Sequence, residues 1–501
     1  MTALEPLGPS TDPTLGALAD AILIPPFPGT TAPRWFLEAL GRGLAGVTFF
    51  GPNVTGDTAS LTASLRAAAP VEPVIAIDEE GGDVTRVAYA SGSPYPGNAA
   101  LGAVDDVALT RSVYAAIGAD LVRLGINTDL APDADVLDPD GSTVVGTRSF
   151  GSDPSLVARH VAAAIAGLQS AGVAACAKHF PGHGSTEDDS HMSLATVVGT
   201  LDEIRVRDLP PFTAAIAAGS IAIMPGHLRV PELTGALPAS LSSAAITGLL
   251  RGELGFSGVV ISDALEMKAA SAVIGIPEAA VFAVIAGVDL LCLGRDTDEA
   301  MYHAVRAAIA GAVASGRLSG DRLEEAAARV ASLRARLASA RDAQGSGASG
   351  LGVLAGQNVD AGEGIGLVAA RRALRRSGPV PPALVDPLIV EVEPEENVAA
   401  GRFTWGFEPW AAVKRVDSAA GDGAAAESVL AASAGRQLVV AVRDARSVLR
   451  LVSDVLAARP DAVIVEMGVP AWTPPPGTAY VATYGASRVC AQAAAETLGL
   501  A

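Results

Sequence analysis

Along the first three hundred positions, apolar runs of strand length recur with little polar alternation, at 22–27, 47–50, 74–78, 128–136, 174–179, 221–227, 259–265 and 289–294. Runs of that kind belong to strands buried on both faces of a parallel sheet. Segments with helical spacing lie between them, among them 107–124, 156–170, 201–218, 239–254 and 278–286. Strand followed by helix, eight times over, predicts a (β/α)8 barrel, with an open doubly wound sheet as the other arrangement that shares the alternation.

Past the barrel pattern, 310–341 is helical and rich in Ala and Arg, and 344–350 reads QGSGASG, the composition of a linker. A helix is expected over 364–375. Strands are then expected at 388–392, 437–442, 462–467 and 479–483, with helices between and after them, including 447–457 and 487–498. The organisation predicted is a TIM barrel catalytic domain over 1–342, a linker with a helix over 343–384, and a smaller C-terminal α/β domain over 385–501. Trp405, Trp410 and Trp472 fall in that domain; core or interface packing is their commoner use, ahead of stacking on a sugar.

A barrel places its active site at the carboxyl ends of its strands. Those ends carry Asp78 with Glu79 and Glu80, then Asp133 and Asp135, Lys178 and His179, His227, and Asp263. The densest stretch is KHFPGHGSTEDDSH, from Lys178 to His191, which holds three of the six histidines. Val173 to Ala177 reads as a strand delivering Lys178 and His179 to its end, after which Gly and Pro open a loop. In an extended backbone residues two apart point the same way, so Asp189 can orient His191. Clustered imidazoles suggest zinc. However, the spacing from His179 to His183 contains Pro181 and Gly182 and no HExxH motif is present, so no metal is expected. His183 is expected to shape the Gly182 to Gly184 turn. Asp263 closes GVVISD: as a helix N-cap it would be merely structural, and beside His191 and Asp189 it becomes a candidate nucleophile. Lys178 and His179 suit hydrogen bonding to a polyhydroxylated ligand or, more plainly, a salt-bridged rim. Arg86 and Arg148 are ambiguous by themselves.

Composition narrows the class. With 501 residues, 50% hydrophobic and 18% charged, the chain has ample material for large cores. A net charge of −19 disfavours nucleic acid and anionic membrane surfaces as partners. Three scattered cysteines fit a reducing compartment, and no signal peptide or membrane-spanning run is evident, so a cytoplasmic location is expected. No feature of the sequence fixes an oligomeric state.

Taken together, KHFPGHG followed by Asp189-Ser190-His191, IDEEGG around Asp78, VVGTRSFGSDP around Arg148, PASLS at 238–242 and LRGELGFSGVVISDALEM ending at Met267 resemble glycoside hydrolase family 3. Within that family the chain is similar to the bacterial β-N-acetylglucosaminidase branch. The resemblance spans about 20–340, with its motifs in family order, and is looser beyond. It implies Asp263 as the nucleophile of a covalent glycosyl-enzyme, His191 as general acid/base and Asp189 as its partner. It implies Asp78, Arg86, Arg148, Lys178 and His179 as ligands of the terminal sugar, with no cofactor. The implied substrate is a GlcNAc-containing glycan, a cell-wall fragment or a chitooligosaccharide. A retaining pair is ordinarily two carboxylates, so a histidine acid/base needs a physical reason; a neighbouring carboxylate that favours imidazolium supplies one. Neutral imidazole in the second half-reaction does not repel phosphate, so a phosphorylase with inorganic phosphate as acceptor is the alternative. A silent glycan-binding protein is a further one. The chain departs from the family where Glu79 and Asp83 replace the familiar Gln and Arg, which adds negative charge near the rim.

Overall fold

The computed structural model describes residues 13–138, 145–186, 194–197, 199–345, 364–393, 405–417, 422–443, 447–470 and 472–501. It divides into two compact units. The first comprises Met1–Glu79, Tyr114–Val144 and Asp153–Ala355; the second comprises Glu80–Val113, Val145–Ser152 and Gly356–Ala501.

The first unit carries the eight strands of the (β/α)8 barrel. Its strands are β1 (Leu23–Ile24), β2 (Gly46–Phe49), β3 (Val74–Ile77), β4 (Thr128–Asp129), β5 (Ala174–Phe180), β6 (Ala222–Pro225), β7 (Val259–Val260) and β8 (Leu291–Cys292). Each falls within one of the eight apolar runs or overlaps it, and every residue in them is buried. Strands β2 to β7 form one parallel ladder in chain order. A parallel bridge from Ile261 to Leu290 joins β7 to β8, and β8 pairs with β1 through Leu23–Leu291 and Ile24–Cys292. The ring closes where the Thr48 hydroxyl on β2 donates to the Ile24 carbonyl at 3.2 Å. Among the described residues no helix is long and apolar enough to cross a membrane.

Several expected elements are shorter or broken. The run 128–136 pairs as a ladder only at Thr128–Asp129, because Pro132, after a cis peptide, cannot donate to a neighbour. The helix expected over 201–218 is two, Leu201–Arg207 and Leu209–Ala217. Pro210 and Pro211 lack the N–H groups that would carry one helix into the next, and they begin the second. The helix expected over 239–254 starts as a 3-10 turn at Ala239–Leu241 and runs with wide π-type turns over Ala244–Glu253.

Buried charge closes the amino-terminal face of the barrel. Asp289, fully buried, accepts from Arg251 at 2.5 Å, Arg322 at 2.7 Å, Arg329 at 3.3 Å and the Val260 N–H at 2.9 Å. It thereby ties the helix Gly320–Gly345 to the last strands. Glu72 is held in the same manner by Arg66 at 2.8 Å and by Arg341.

The second unit carries a six-stranded sheet. Its strands are β9 (Arg375–Ser377), β10 (Leu388–Glu393), β11 (Val413–Asp417), β12 (Leu438–Val442), β13 (Val463–Glu466) and β14 (Ala479–Ala482). The order is β9-β14-β13-β12-β10-β11, parallel except for β9. Side-chain alternation sorts the strands onto two cores. Leu388, Val390 and Val392 join Leu438, Val440 and Val442 on one face beneath the helices Asp422–Ala432 and Leu449–Ala458. Ile389, Val439 and Ala441 face the other side with the helix Arg488–Thr497. Trp405 is buried in that second core, Trp410 packs against it, and Trp472 packs on the opposite core, so all three tryptophans serve packing. Pattern reading finds the four central strands and passes over β9 and β11. Both are edge strands with charged, partly exposed residues, as edges require.

Replacing Asp289 with Ala leaves three arginines facing a carboxylate that has gone. We expect a loss of about 3 kcal/mol in unfolding free energy, less for Asp289→Asn, measurable by urea denaturation.

Candidate active site

At the carboxyl rim of the barrel, Lys178 of β5 extends its Nζ to within 2.6 Å of Asp78 Oδ1, just past β3. Asp129, at the end of β4 between them in the ladder, accepts from the Glu79 N–H at 3.0 Å. Burial holds the Asp129 carboxyl well above the usual carboxylate range, aided by repulsion from Glu79 and Asp78 and against the pull of Lys178.

His179 lies next along β5, after a cis peptide. Its Nδ1 is 2.7 Å from Asp135 Oδ2, and its N–H donates to Asp135 Oδ1 at 3.2 Å. The His183 N–H donates to the same Oδ1 at 2.7 Å. Asp135 is fully buried, which by itself raises a carboxyl; the charge and hydrogen bonding of His179, with His183, overcome this and hold it well below the usual range. An ionised Asp135 accepts only, so the His179 Nδ1 must carry the proton it shares. Thr186 is fixed by similar reasoning: its hydroxyl donates to the His183 carbonyl at 2.9 Å and therefore receives the His183 Nδ1 proton across 2.5 Å. These contacts hold His183 within the Gly182 to Gly184 turn. The turn is tight: a Cβ on Gly184 would lie 1.9 Å from the Val136 carbonyl oxygen.

Among the described residues, Asp133, Asp135 and His179 are the group whose ligating atoms approach closely enough, within 4.8 Å, to hold a metal ion. The hydrogen bonds to His179 and His183 already use both oxygens of Asp135 and the Nδ1 of His179. That pattern is an orienting network for an imidazole.

Asp263 follows β7. Its Oδ1 accepts from the Ala264 N–H at 2.7 Å, and the next helix starts only at Lys268, so Asp263 is not that helix's N-cap. The backbone around it is pinned on both sides. The Ser262 hydroxyl accepts from Cys292 N–H at 2.9 Å, and the Leu265 N–H donates to the Cys292 carbonyl at 3.0 Å. His227, at the end of β6, donates from Nε2 to the Ala264 carbonyl at 3.0 Å. Its Nδ1 then accepts from the Ser240 hydroxyl at 2.6 Å. Ser240 belongs to the PASLS motif, whose structural use is thereby explained. Asp78 and Asp263 both raise the buried thiols of Cys176 on β5 and Cys292 on β8, the latter pushed up to about 12, chiefly by burial. The two carboxylates follow β3 and β7, whose carboxyl ends share one rim of the barrel.

Four candidates remain. Arg148 belongs to the second unit, where it makes a bidentate pair with Glu80 at 2.7 and 2.9 Å. Arg86, half-buried, belongs to that unit as well. Asp189 and His191 lie outside the described residues. Sequence reasoning named Asp135 and His227 as strand-end groups without a role. Their roles depend on partners 44 and 37 residues away, which no local spacing discloses.

Beyond the end of β5, Asp208 packs against Gly182, where a Cβ would sit 2.6 Å from the Asp208 Cβ and where φ is +134°, so glycine is required on both counts. Arg207 donates to Asp208 Oδ2 at 2.8 Å and to the Ser185 hydroxyl at 2.8 Å, bracing the start of the loop.

Residues 42–333 match the Glycosyl hydrolase family 3 N terminal domain. The chain belongs to glycoside hydrolase family 3 and is a glycosidase. A beta-hexosaminidase of Stenotrophomonas maltophilia (strain K279a) is 38% identical over 295 residues, 56% of this chain and 87% of that protein. Beta-hexosaminidase A of Pseudoalteromonas piscicida is 34% identical over 336 residues, 62% of this chain but only 56% of that longer protein. The solved glycoside hydrolase family 3 β-N-acetylglucosaminidase from Paenibacillus sp. str. FPU-7 superposes with a TM-score of 0.80 at 30% identity, covering 97% of each chain. Within the family, the chain falls in the bacterial β-N-acetylglucosaminidase branch.

Burial pushes the Asp208 carboxyl up to about 6, against the pull of Arg207. The folded protein thus holds this proton more tightly than the unfolded chain, whose carboxyl titrates near 4. Its stabilising contribution is full below about pH 4 and is lost as pH rises through about 6, by up to about 3 kcal/mol. Asp208→Asn removes the titration, so the difference in Tm between variant and wild type should grow in the variant's favour from pH 4 to pH 7 in thermal melts.

Proposed function

We propose that the protein is a retaining, exo-acting β-N-acetylglucosaminidase that releases terminal GlcNAc from peptidoglycan fragments or chitooligosaccharides. The observation that carries this reading is the placement of Asp263 at a strand end, excluded from capping and held by Ser262, His227 and the β8 backbone, over the same rim as the Lys178–Asp78 pair. A carboxylate with fixed backbone on both sides suits a nucleophile, which must reach one atom in one geometry.

In the first half-reaction an Asp263 oxygen bonds to the anomeric carbon as the bond to the leaving oxygen breaks, and His191 gives its proton to that oxygen. In the second, His191 takes a proton from water as the water oxygen displaces Asp263. The inversion at each step makes retention overall. Asp189 is the partner that favours the charged imidazole before the first transfer. Asp78, Lys178 and His179 bind the sugar hydroxyls together with Arg86 and Arg148. Asp135 sets the orientation of His179, and its ionisation makes the imidazole present the same edge in every turnover.

Asp263→Ala should lower kcat on a chromogenic GlcNAc glycoside by about 10⁴-fold or more, and a 2-fluoro-sugar should label Asp263 in the wild type. Retained turnover would assign the nucleophile elsewhere. The same assay with and without inorganic phosphate should release free GlcNAc at equal rates. Accumulation of GlcNAc-1-phosphate would make the enzyme a phosphorylase.

A further inference from the structure

The five parallel strands of the second unit, numbered along the chain, lie in the order 2-1-3-4-5. In a doubly wound sheet of that order the ligand crevice opens at the carboxyl ends of the first and third strands, where the winding reverses. Here those strands are β10 and β12, and the residue that leaves β12 is Arg443.

A side chain of this same unit already sits on that cation. Asp83, 7% exposed, takes the Arg443 guanidinium at 3.0 Å on one oxygen, where the Thr147 hydroxyl also donates at 2.8 Å. Its other oxygen takes the Ala486 N–H at 2.9 Å, just ahead of the helix Arg488–Thr497. A guanidinium at a switch strand, an N–H at a helix start and a hydroxyl make an anion site. The neighbouring residues are seated equally deeply. Val84 is a member of the core formed with Ile389, Trp405 and Val439. A Cβ on Gly366 would lie 1.9 Å from the Pro94 oxygen, and one on Gly485 would lie 2.7 Å from the Pro96 oxygen.

The structure assigns to the second unit a use for its ligand crevice: it binds the Asp83 carboxylate as an internal ligand and so positions the two segments that carry Arg86 and Arg148. Asp83 is a positioning residue. Arg86 follows it by three residues, and Arg148 adjoins the Thr147 that shares its oxygen. The Asp at this position, where the family's familiar form has Arg, is what the crevice of this chain recognises, because an arginine there would face Arg443. This inference rests on the reading of Arg86 and Arg148 as sugar ligands.

The test uses the full chain and a chromogenic GlcNAc glycoside. Asp83→Ala should lower kcat/KM by about tenfold or more, mainly through KM, while 2-fluoro-sugar labelling of Asp263 still goes to completion at high concentration. Formate or acetate, entering the vacated anion site, should restore much of the loss; chloride at equal ionic strength should not. Asp83→Asn keeps the shape, loses the charge facing Arg443, and should show an intermediate loss, which gives a second reading should the Ala variant fold poorly. Asp83→Ala and Arg443→Ala together should be little worse than either alone. Wild-type kcat/KM in a folded Asp83→Ala or Asp83→Asn variant overturns the inference, as does a folded, impaired Asp83→Ala variant that neither carboxylate rescues. A wild type that does not cleave the glycoside at all overturns the glycosidase reading instead, so the two failures are distinct.

Discussion

The carboxylate of Asp135 is the contact on which the site's geometry depends. It is fully buried, so its charge is tolerable only because two backbone N–H groups and an imidazole surround it. Those donors belong to His179 and His183, residues that open the histidine-rich loop. Solvation of one buried anion therefore fixes the ring orientation of His179 and the backbone at His183. Removing the charge would release both, which ties the rigidity of the His179 ring to that of the loop root.

The same economy of parallel sheets operates in both units. Parallel strands send all their carboxyl ends to one rim, and each following loop starts there. In the barrel this gathers Asp78, Lys178, His179, His227 and Asp263 from four strands. In the second unit it opens a crevice between β10 and β12, and Asp83 fills it. A domain added to a barrel does not need a ligand of its own when its most binding-competent feature can hold part of the chain itself.

Much of this was legible in the sequence because burial on both faces writes continuous apolar runs. All eight barrel strands and the four central strands of the second sheet announce themselves that way, and the candidate carboxylates and cations follow at their ends. Edge strands β9 and β11 did not, since an edge in water carries charge: Arg375 and Arg376, or Lys414, Arg415 and Asp417. Pro132 cut short a strand that hydropathy alone extended to 136. The partners of Asp135, His227 and Asp83 were illegible for another reason. They are set by which strand ends become neighbours after closure, with separations of 44, 37 and 360 residues, and a local pattern holds no record of that.

Four buried carboxylates of the barrel show how position decides what a charge is for. At the amino-terminal face, Asp289 and Glu72 are saturated by arginines and tie helices to strands, a role in stability alone. At the carboxyl face, Asp135 is kept ionised by imidazole and N–H donors, whereas Asp129, with one N–H donor and carboxylates nearby, is pushed towards its neutral form. The upward shift of Asp129 weakens its claim on the Lys178 ammonium, which is bonded to Asp78 at 2.6 Å. Were Asp129 charged as well, it would compete with Asp78 for the one ammonium of Lys178. The two acids, of one residue type and six positions apart, are thus shifted in opposite directions because only one of them was given donors enough.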